Sequence, residues 1–395
     1  MSALERMRVL DMTQYEAGTS CTQMLAWLGA DVVKLESPRG DPGRGVSRDP
    51  AVVSQYFLNY NSNKRSIVLD LKTPGGRDLF RGLVPKYDVF VENYGPGAME
   101  GLDIGYETLS ALNPGLIYGR IKGFGLSGPY SAYNCYDWVA QAAAGAFSVT
   151  GHADGPPLMP GTTVGDSGTG LQMALAITAA FVQKQETGLG QLIEVSMQEA
   201  VTLFMRTQGL QHWGKSPAGR TGAIRGAATT AVYPCDPGGP NDYVFIMVVT
   251  TQQWDALCTA IGRHDLAADP RFHDGPARVA NGEALAAEIS AWTRRRTKRE
   301  AMQLFAEAGV PSSATLDTVE LFTDPHLASR GFIQTVPHPT AGDVTLMANP
   351  IRMSASPTHL RAAPLLGEHT SEVLSAELGL SEDQITTLRD TGAIG

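Results

Sequence analysis

The feature that most constrains this chain is an alternation near its start, in which short β-branched runs are separated by helix-length amphipathic stretches. Arg8-Val-Leu-Asp-Met is followed by a helical stretch near Gly18 to Leu28, then by Asp31-Val-Val-Lys-Leu-Glu36. Arg65-Ser-Ile-Val-Leu-Asp70 comes next, with a helix opening at Pro74-Gly75 and Leu79, Phe80 and Leu83 at helical spacing. Asp88-Val-Phe-Val-Glu-Asn93 and Leu116-Ile-Tyr-Gly-Arg-Ile121 extend the series. Strands joined through helices cross over right-handedly and lie parallel. The pattern predicts an α/β fold built on a Rossmann-like, doubly wound parallel sheet.

A chain of 395 residues exceeds what one core usually supports, about 250 to 300 residues. A second, smaller α+β domain is therefore expected. Tyr243-Val-Phe-Ile-Met-Val-Val249 is β-prone, and helical patterns follow near 254–261, 283–293 and 298–308. The large domain is expected over 1–200, completed by 330–395, with a linker at 201–224 and the small domain at 225–329. Within the first part, a long and mostly buried helix runs from Asp166 to near Gly188, and Leu192-Ile-Glu-Val-Ser196 reads as a strand. The stretch 213–240, rich in Gly, Pro, Thr and Ala, reads as a linker or mobile loop. Asp343 to Met347 is strand-like, and Ser381-Glu-Asp-Gln384 has the spacing of a capping box.

A net charge of −9 argues against a nucleic-acid surface, which needs a basic field. Four scattered cysteines without C-x-x-C spacing indicate neither zinc cluster nor disulfide framework, and a reducing cytoplasm is the expected location. The N-terminus lacks the pattern of a secretion signal, and no apolar run approaches the ~18 residues of a membrane span.

Gly123-Phe-Gly125-Leu-Ser-Gly128 matches the dinucleotide fingerprint, but Pro129 and Tyr130 follow at once and favour an exposed loop. Gly165-Asp166-Ser167-Gly168 has the form of a serine-protease nucleophile segment, yet no histidine stands in a recognisable base motif. Asp166 between glycines at a helix start is either an N-cap or a carboxylate nucleophile. Asn61-Ser-Asn63-Lys64-Arg65 is either a solvated loop or a set of phosphate donors. Val91-Glu-Asn93-Tyr94-Gly-Pro-Gly97 leaves a strand end, where open parallel sheets bind ligands.

Together with Gln23-Met-Leu25, Leu28-Gly-Ala-Asp-Val-Val-Lys34, Asn63-Lys-Arg-Ser-Ile67, Asp154-Gly-Pro-Pro157, Met197-Gln-Glu-Ala-Val201 and Ala363-Pro-Leu-Leu-Gly-Glu-His-Thr370, these segments resemble the class III CoA-transferase family, nearest its formyl-CoA:oxalate branch. The resemblance implies an interlocked, ring-like homodimer and CoA transfer from an acyl-CoA to a small carboxylic acid. It places the family's catalytic aspartate on Asp166. It matches CoA and substrate contacts to Tyr15, Glu16, Ala17, Arg39, Leu69, Lys72, Asn93, Tyr94, Tyr136, Asp137 and Met197. CoA thioesters would be substrates, with no tightly bound cofactor and no metal.

Departures from the family are specific. Its glutamine is Glu16 here, an arginine is replaced by Ser37, and two further basic positions read as Gly101 and Asn134, leaving Arg39 or Arg44 as substitute cations. A bulky tryptophan of the acyl pocket is Val46, and a run of four glycines then glutamine is absent around Gly226 to Pro234, so a larger acyl group is expected to fit. Racemases of the same fold use a histidine where Tyr136 stands; acyl-CoA racemase or epimerase activity is the alternative, and a silent CoA-binding or dehydrogenase-like protein a third.

Overall fold

The computed structural model describes residues 2–47, 53–209, 214–222 and 228–395. They fall into two compact units, one of Met1–Phe147, Met159–Pro217 and Ser329–Gly395, the other of Ser148–Leu158 and Ala218–Ala328.

The first unit is organised by six strands: β1 Arg8–Met12, β2 Asp31–Glu36, β3 Arg65–Val68, β4 Val89–Glu92, β5 Ile117–Lys122 and β6 Leu192–Ser196. They pair in the order β3-β2-β1-β4-β5-β6, every pairing parallel. Between them run α1 Ala17–Trp27, α2 Gln55–Asn61, α3 Pro74–Leu83, α4 Ala98–Gly101, α5 Tyr106–Leu112, α6 Asp137–Ala143 and α7 Ser167–Thr187, with α8 Met197–Phe204 leaving β6. The doubly wound α/β expectation holds. Side chains alternate across the sheet. Leu10, Val33, Ile67, Phe90 and Tyr118 join one core, while Val9, Val32, Val89, Val91 and Ile117 join the other with Cys21, Leu25, Met173 and Ile177 of α1 and α7. Two-sided burial is why these strands read as continuous apolar runs.

The C-terminal residues close the β3 edge. Thr370 Oγ1 accepts from the Val68 amide at 3.1 Å, and the Asp70 amide donates to Ala393 O at 2.9 Å. Pairing these amides removes an exposed strand edge. An antiparallel hairpin, Ile333–His338 with Gly342–Met347, also lies in this unit, its Val344 and Leu346 packing on Phe57 and Leu58 of α2.

The second unit holds a three-stranded antiparallel sheet of Thr230–Pro234, Tyr243–Met247 and Ser312–Ala314, with helices including Thr251–Ala260, Gly282–Thr293 and Lys298–Glu307. Its core gathers Tyr233, Ile246, Trp254, Leu257, Ile289 and Phe305.

Two expectations are corrected. Thr230–Pro234 is a strand inside the stretch assigned to a loop, because its alternating burial pairs it with Tyr243–Met247; Trp213 and 223–227 of that stretch lie outside the described residues. The helix after Asp166 is not mostly buried in this chain: Leu171 is 47%, Leu175 71% and Val182 61% exposed. It ends where expected, at Gly188 in the left-handed conformation. The Gly123 loop leaves β5 through bends and not into a helix, as expected of an exposed loop.

Candidate active site

The strand order reverses direction between β1 and β4, and in such sheets ligands bind beyond the carboxyl ends of the strands at that point. A cavity of about 290 Å³ lies there, lined by the loops after β1 (Tyr15, Glu16, Ala17), β4 (Asn93, Tyr94) and β5 (Lys122, Gly123), together with Tyr136, Asp166 and Met197. Eight residues matched by resemblance thus meet in one cavity.

The loops are held by polar contacts. Asn93 Oδ1 accepts from the Gln14 amide at 2.8 Å, its Nδ2 donates to Gln14 O at 2.9 Å, and Gln14 Nε2 donates to the Tyr94 hydroxyl at 2.7 Å. Tyr15 adopts φ 58°, a conformation few residues other than glycine take, and its ring meets Tyr136 edge-on at 6.2 Å. Strained backbone of this kind concentrates at functional sites. Lys122, the cation in the lining, is held by Glu92 at 2.8 Å and also donates to Tyr94 O at 2.5 Å.

Asp166 occupies the N-cap position of α7 but makes no capping hydrogen bond with its side chain. The capping assignment therefore fails, and the physical reason is visible in the backbone. Its own N–H donates to Asp137 Oδ1 at 2.9 Å, an approach that requires Gly165, where a Cβ would lie 2.6 Å from Asp137 O. Asp137 is fixed in turn by Gln141, whose Nε2 donates to Oδ2 at 2.6 Å. The Asp166 carboxyl is left facing the cavity. Burial pushes it up to about 8, with Glu16 and Asp137 adding like charge.

Glu16, 3% exposed, receives hydroxyl hydrogen bonds from Thr163 at 2.5 Å, Ser167 at 2.7 Å and Tyr60. Burial still raises its carboxyl above the usual range. Ser167 thus donates to a carboxylate, and among the described residues it has no histidine partner, which argues against the protease assignment. Cys135 lines the same cavity, but burial and the charges of Asp166 and Asp137 push its thiol up to about 11, so it is a poor competing nucleophile.

The remaining matched residues lie elsewhere. Leu69 is buried and bridged to Ile394. Arg39 and Lys72 are exposed in the loops just past β2 and β3. Arg44 is committed to Glu36 at 2.7 Å and stacks 3.7 Å over Phe57, so it is not a free substitute cation. The donors read in 61–65 are committed too. Lys64 pairs with buried Asp11 at 2.9 Å, Arg65 with Asp31 at 2.7 Å, and Asn63 Nδ2 donates to His359 O at 2.7 Å. Sequence reasoning missed Tyr56, Tyr60 and Thr163. The only available signal was the i,i+4 spacing of two tyrosines on α2, whose rings meet at 5.0 Å. Among the described residues no group of His, Cys, Asp and Glu forms a metal site, and no helix is long and apolar enough to cross a membrane.

A doubly wound sheet carrying an uncapped, half-buried carboxyl at its switch point defines an α/β enzyme with a carboxylate-centred site. Residues 4–370 match the family model CoA-transferase family III, and the chain belongs to that family. It is 40% identical to the formyl-CoA:oxalate CoA-transferase of Streptomyces coelicolor, over 99% of both chains, and 39% identical to that of Rhodopseudomonas palustris, over 99% of this chain and 97% of the relative. Among solved structures it superposes on a CAIB/BAIF family protein from Brucella suis with TM-score 0.85 and 32% identity, covering 95% of this chain and 99% of the other. A hypothetical protein from Mycobacterium tuberculosis gives TM-score 0.81 at 27% identity, covering 94% and 99%.

Proposed function

We propose that this class III CoA-transferase moves CoA from an acyl-CoA to a free carboxylic acid through a covalent aspartyl-CoA intermediate on Asp166. The observation that carries this assignment is the Asp166 carboxyl, uncapped and open to the cavity at the switch point. In the ionised form its oxygen attacks the thioester carbonyl, and the C–S bond breaks to give a mixed anhydride and CoA thiolate. The thiolate attacks the Asp166 carbonyl carbon, expelling the donor acid as its carboxylate and leaving an aspartyl thioester. An incoming carboxylate repeats both steps in reverse, so one thioester is exchanged for another without ATP. The backbone N–H of Ala17, at the start of α1 with Ala17 in the cavity lining, is the candidate donor to an oxyanion.

Pantetheine would follow the loops of Asn93, Tyr94 and Met197, with exposed Arg39 and Lys72 available to the phosphates. The replacement of a bulky tryptophan by Val46 is the reason to propose acyl groups larger than formyl. Transfer is favoured over α-carbon proton exchange because Tyr136, and no histidine among the described residues, lines the cavity with Asp166. The apolar residues that α7 leaves exposed, with Leu203 and Phe204 of α8, support a homodimer, interlocked as in the family. All four thiols are free, consistent with a cytoplasmic enzyme.

The test is incubation of wild type and Asp166→Ala with pooled acyl-CoAs and pooled acids, following new thioesters by mass spectrometry. New acyl-CoAs from wild type alone, with a CoA-sized mass gain on the Asp166 peptide, are expected. Equal turnover by the variant would sink the assignment.

A further inference from the structure

Glu16 and Asp166 are unequal partners. Three hydroxyl donors, Thr163, Ser167 and Tyr60, converge on Glu16, and such bonds favour the charged form of a carboxylate. Among the described residues Asp166 has no comparable donor on its carboxyl, and a charge on Glu16 opposes ionisation of Asp166. The other titratable groups facing Glu16 are Tyr56, Tyr60 and Asp137, none of them a cation. Among the described residues no lysine, arginine or histidine side chain bonds to Glu16, Asp137 or Asp166, and Lys122 is already paired with Glu92.

Once CoA is on Asp166, an incoming acid meets a neutral thioester beside the Glu16 carboxylate, which no cation among the described residues pairs. A monocarboxylate spends its one charge in bonding to the aspartyl carbonyl, and the displaced thiolate carries that charge onward. A dicarboxylate keeps a second charge, which must sit partly dehydrated in a site where, among the described residues, the lining cation Lys122 is already paired with Glu92. We propose that Glu16 is a specificity-determining residue that excludes acids bearing a second negative charge, so that the acceptors of this enzyme are monocarboxylates. This rests on the assignment of Asp166 as the CoA carrier. Such an enzyme would differ in its acceptor from relatives whose names specify oxalate, a dicarboxylate.

The test compares size-matched acids as acceptors for the full-length enzyme and Glu16→Gln: glycolate with oxalate, propionate with malonate, and butyrate with succinate. Wild type should favour the monoacid of each accepted pair by about tenfold or more in kcat/KM, the scale of one like-charge contact in a partly wet site. Glu16→Gln should narrow that ratio by about tenfold, mainly through improved use of the diacid. The ratio is read within one protein sample, so partial misfolding of the variant cancels. Equal use of both acids by wild type, or an unchanged ratio in the variant, would overturn the inference and leave the Asp166 assignment standing. Absence of transfer to every acid would remove the assignment itself, and this inference with it.

Discussion

Two clusters of buried ionisable groups lie in the first unit, one around Asp11 of β1 and the other around Glu16 just before α1, and they are built on opposite rules. In one, Asp11 pairs with Lys64 at 2.9 Å and Asp41 with Lys34 at 2.8 Å, all four side chains almost wholly buried. Burial pushes Asp11 up, but Lys64 and Lys34 more than reverse it, and its carboxyl lies below the usual range. In the other, Glu16, Asp137 and Asp166 gather without a cation among the described residues, and burial with like charge pushes Asp166 up to about 8. Paired charges hold a structure in one arrangement, whereas unpaired ones raise the energy of a group that is then ready to react. The contrast separates scaffold from chemistry more sharply than sequence motif does, since Lys64 and Asp166 both stand in segments that resemble the family.

The comparison breaks first if Asp166 is dispensable. Asp166→Ala should lower acyl-CoA exchange by about 10⁴-fold or more, as loss of a covalent nucleophile does elsewhere. Next, Lys64→Met should leave Asp11 buried and unpaired, costing about 3–5 kcal/mol in urea unfolding. If that variant is as stable as wild type, the paired cluster is not structural.

The second cluster should respond in the opposite sense. Asp166 binds its proton more tightly folded than unfolded, so its contribution to stability is full below the usual carboxylate range and is lost as pH rises toward about 8. Asp166→Asn should therefore match wild type near pH 4 and exceed it by several kcal/mol near pH 8, in unfolding curves measured at both. A variant less stable at both pH values would refute the unpaired character of the site.

The smallest effect is the pH profile. If Asp166 is the nucleophile, transfer needs its ionised form and should rise through about pH 8. Removing the negative neighbour in Glu16→Gln makes that ionisation easier, so the rising limb should move down by about one pH unit. A limb that stays in place would mean that the Glu16 charge does not reach Asp166.

The sheet was legible from sequence because two-sided burial demands runs such as Val89-Phe-Val91, which no other common architecture produces between helices. The helix end at Gly188 and the capping box at Ser381 were equally legible, since both depend only on near neighbours. Thr230–Pro234 was not, because a short run flanked by Gly and Pro becomes a strand only when Tyr243–Met247 supplies its partner. Asp166 was found through resemblance, whereas the local pattern alone left N-cap and nucleophile undecided.

What the sequence by itself determined was the parallel α/β sheet, its helix ends and the family, all carried by periodicity, local capping and ordered motifs. The charge state of each buried group was decided only by the tertiary structure. Lys64 is consumed by Asp11, 53 residues away, and Glu16 by Thr163 and Ser167, 147 and 151 residues away. The physical reason is that burial and electrostatic partnership depend on distance in space, which sequence separation does not encode.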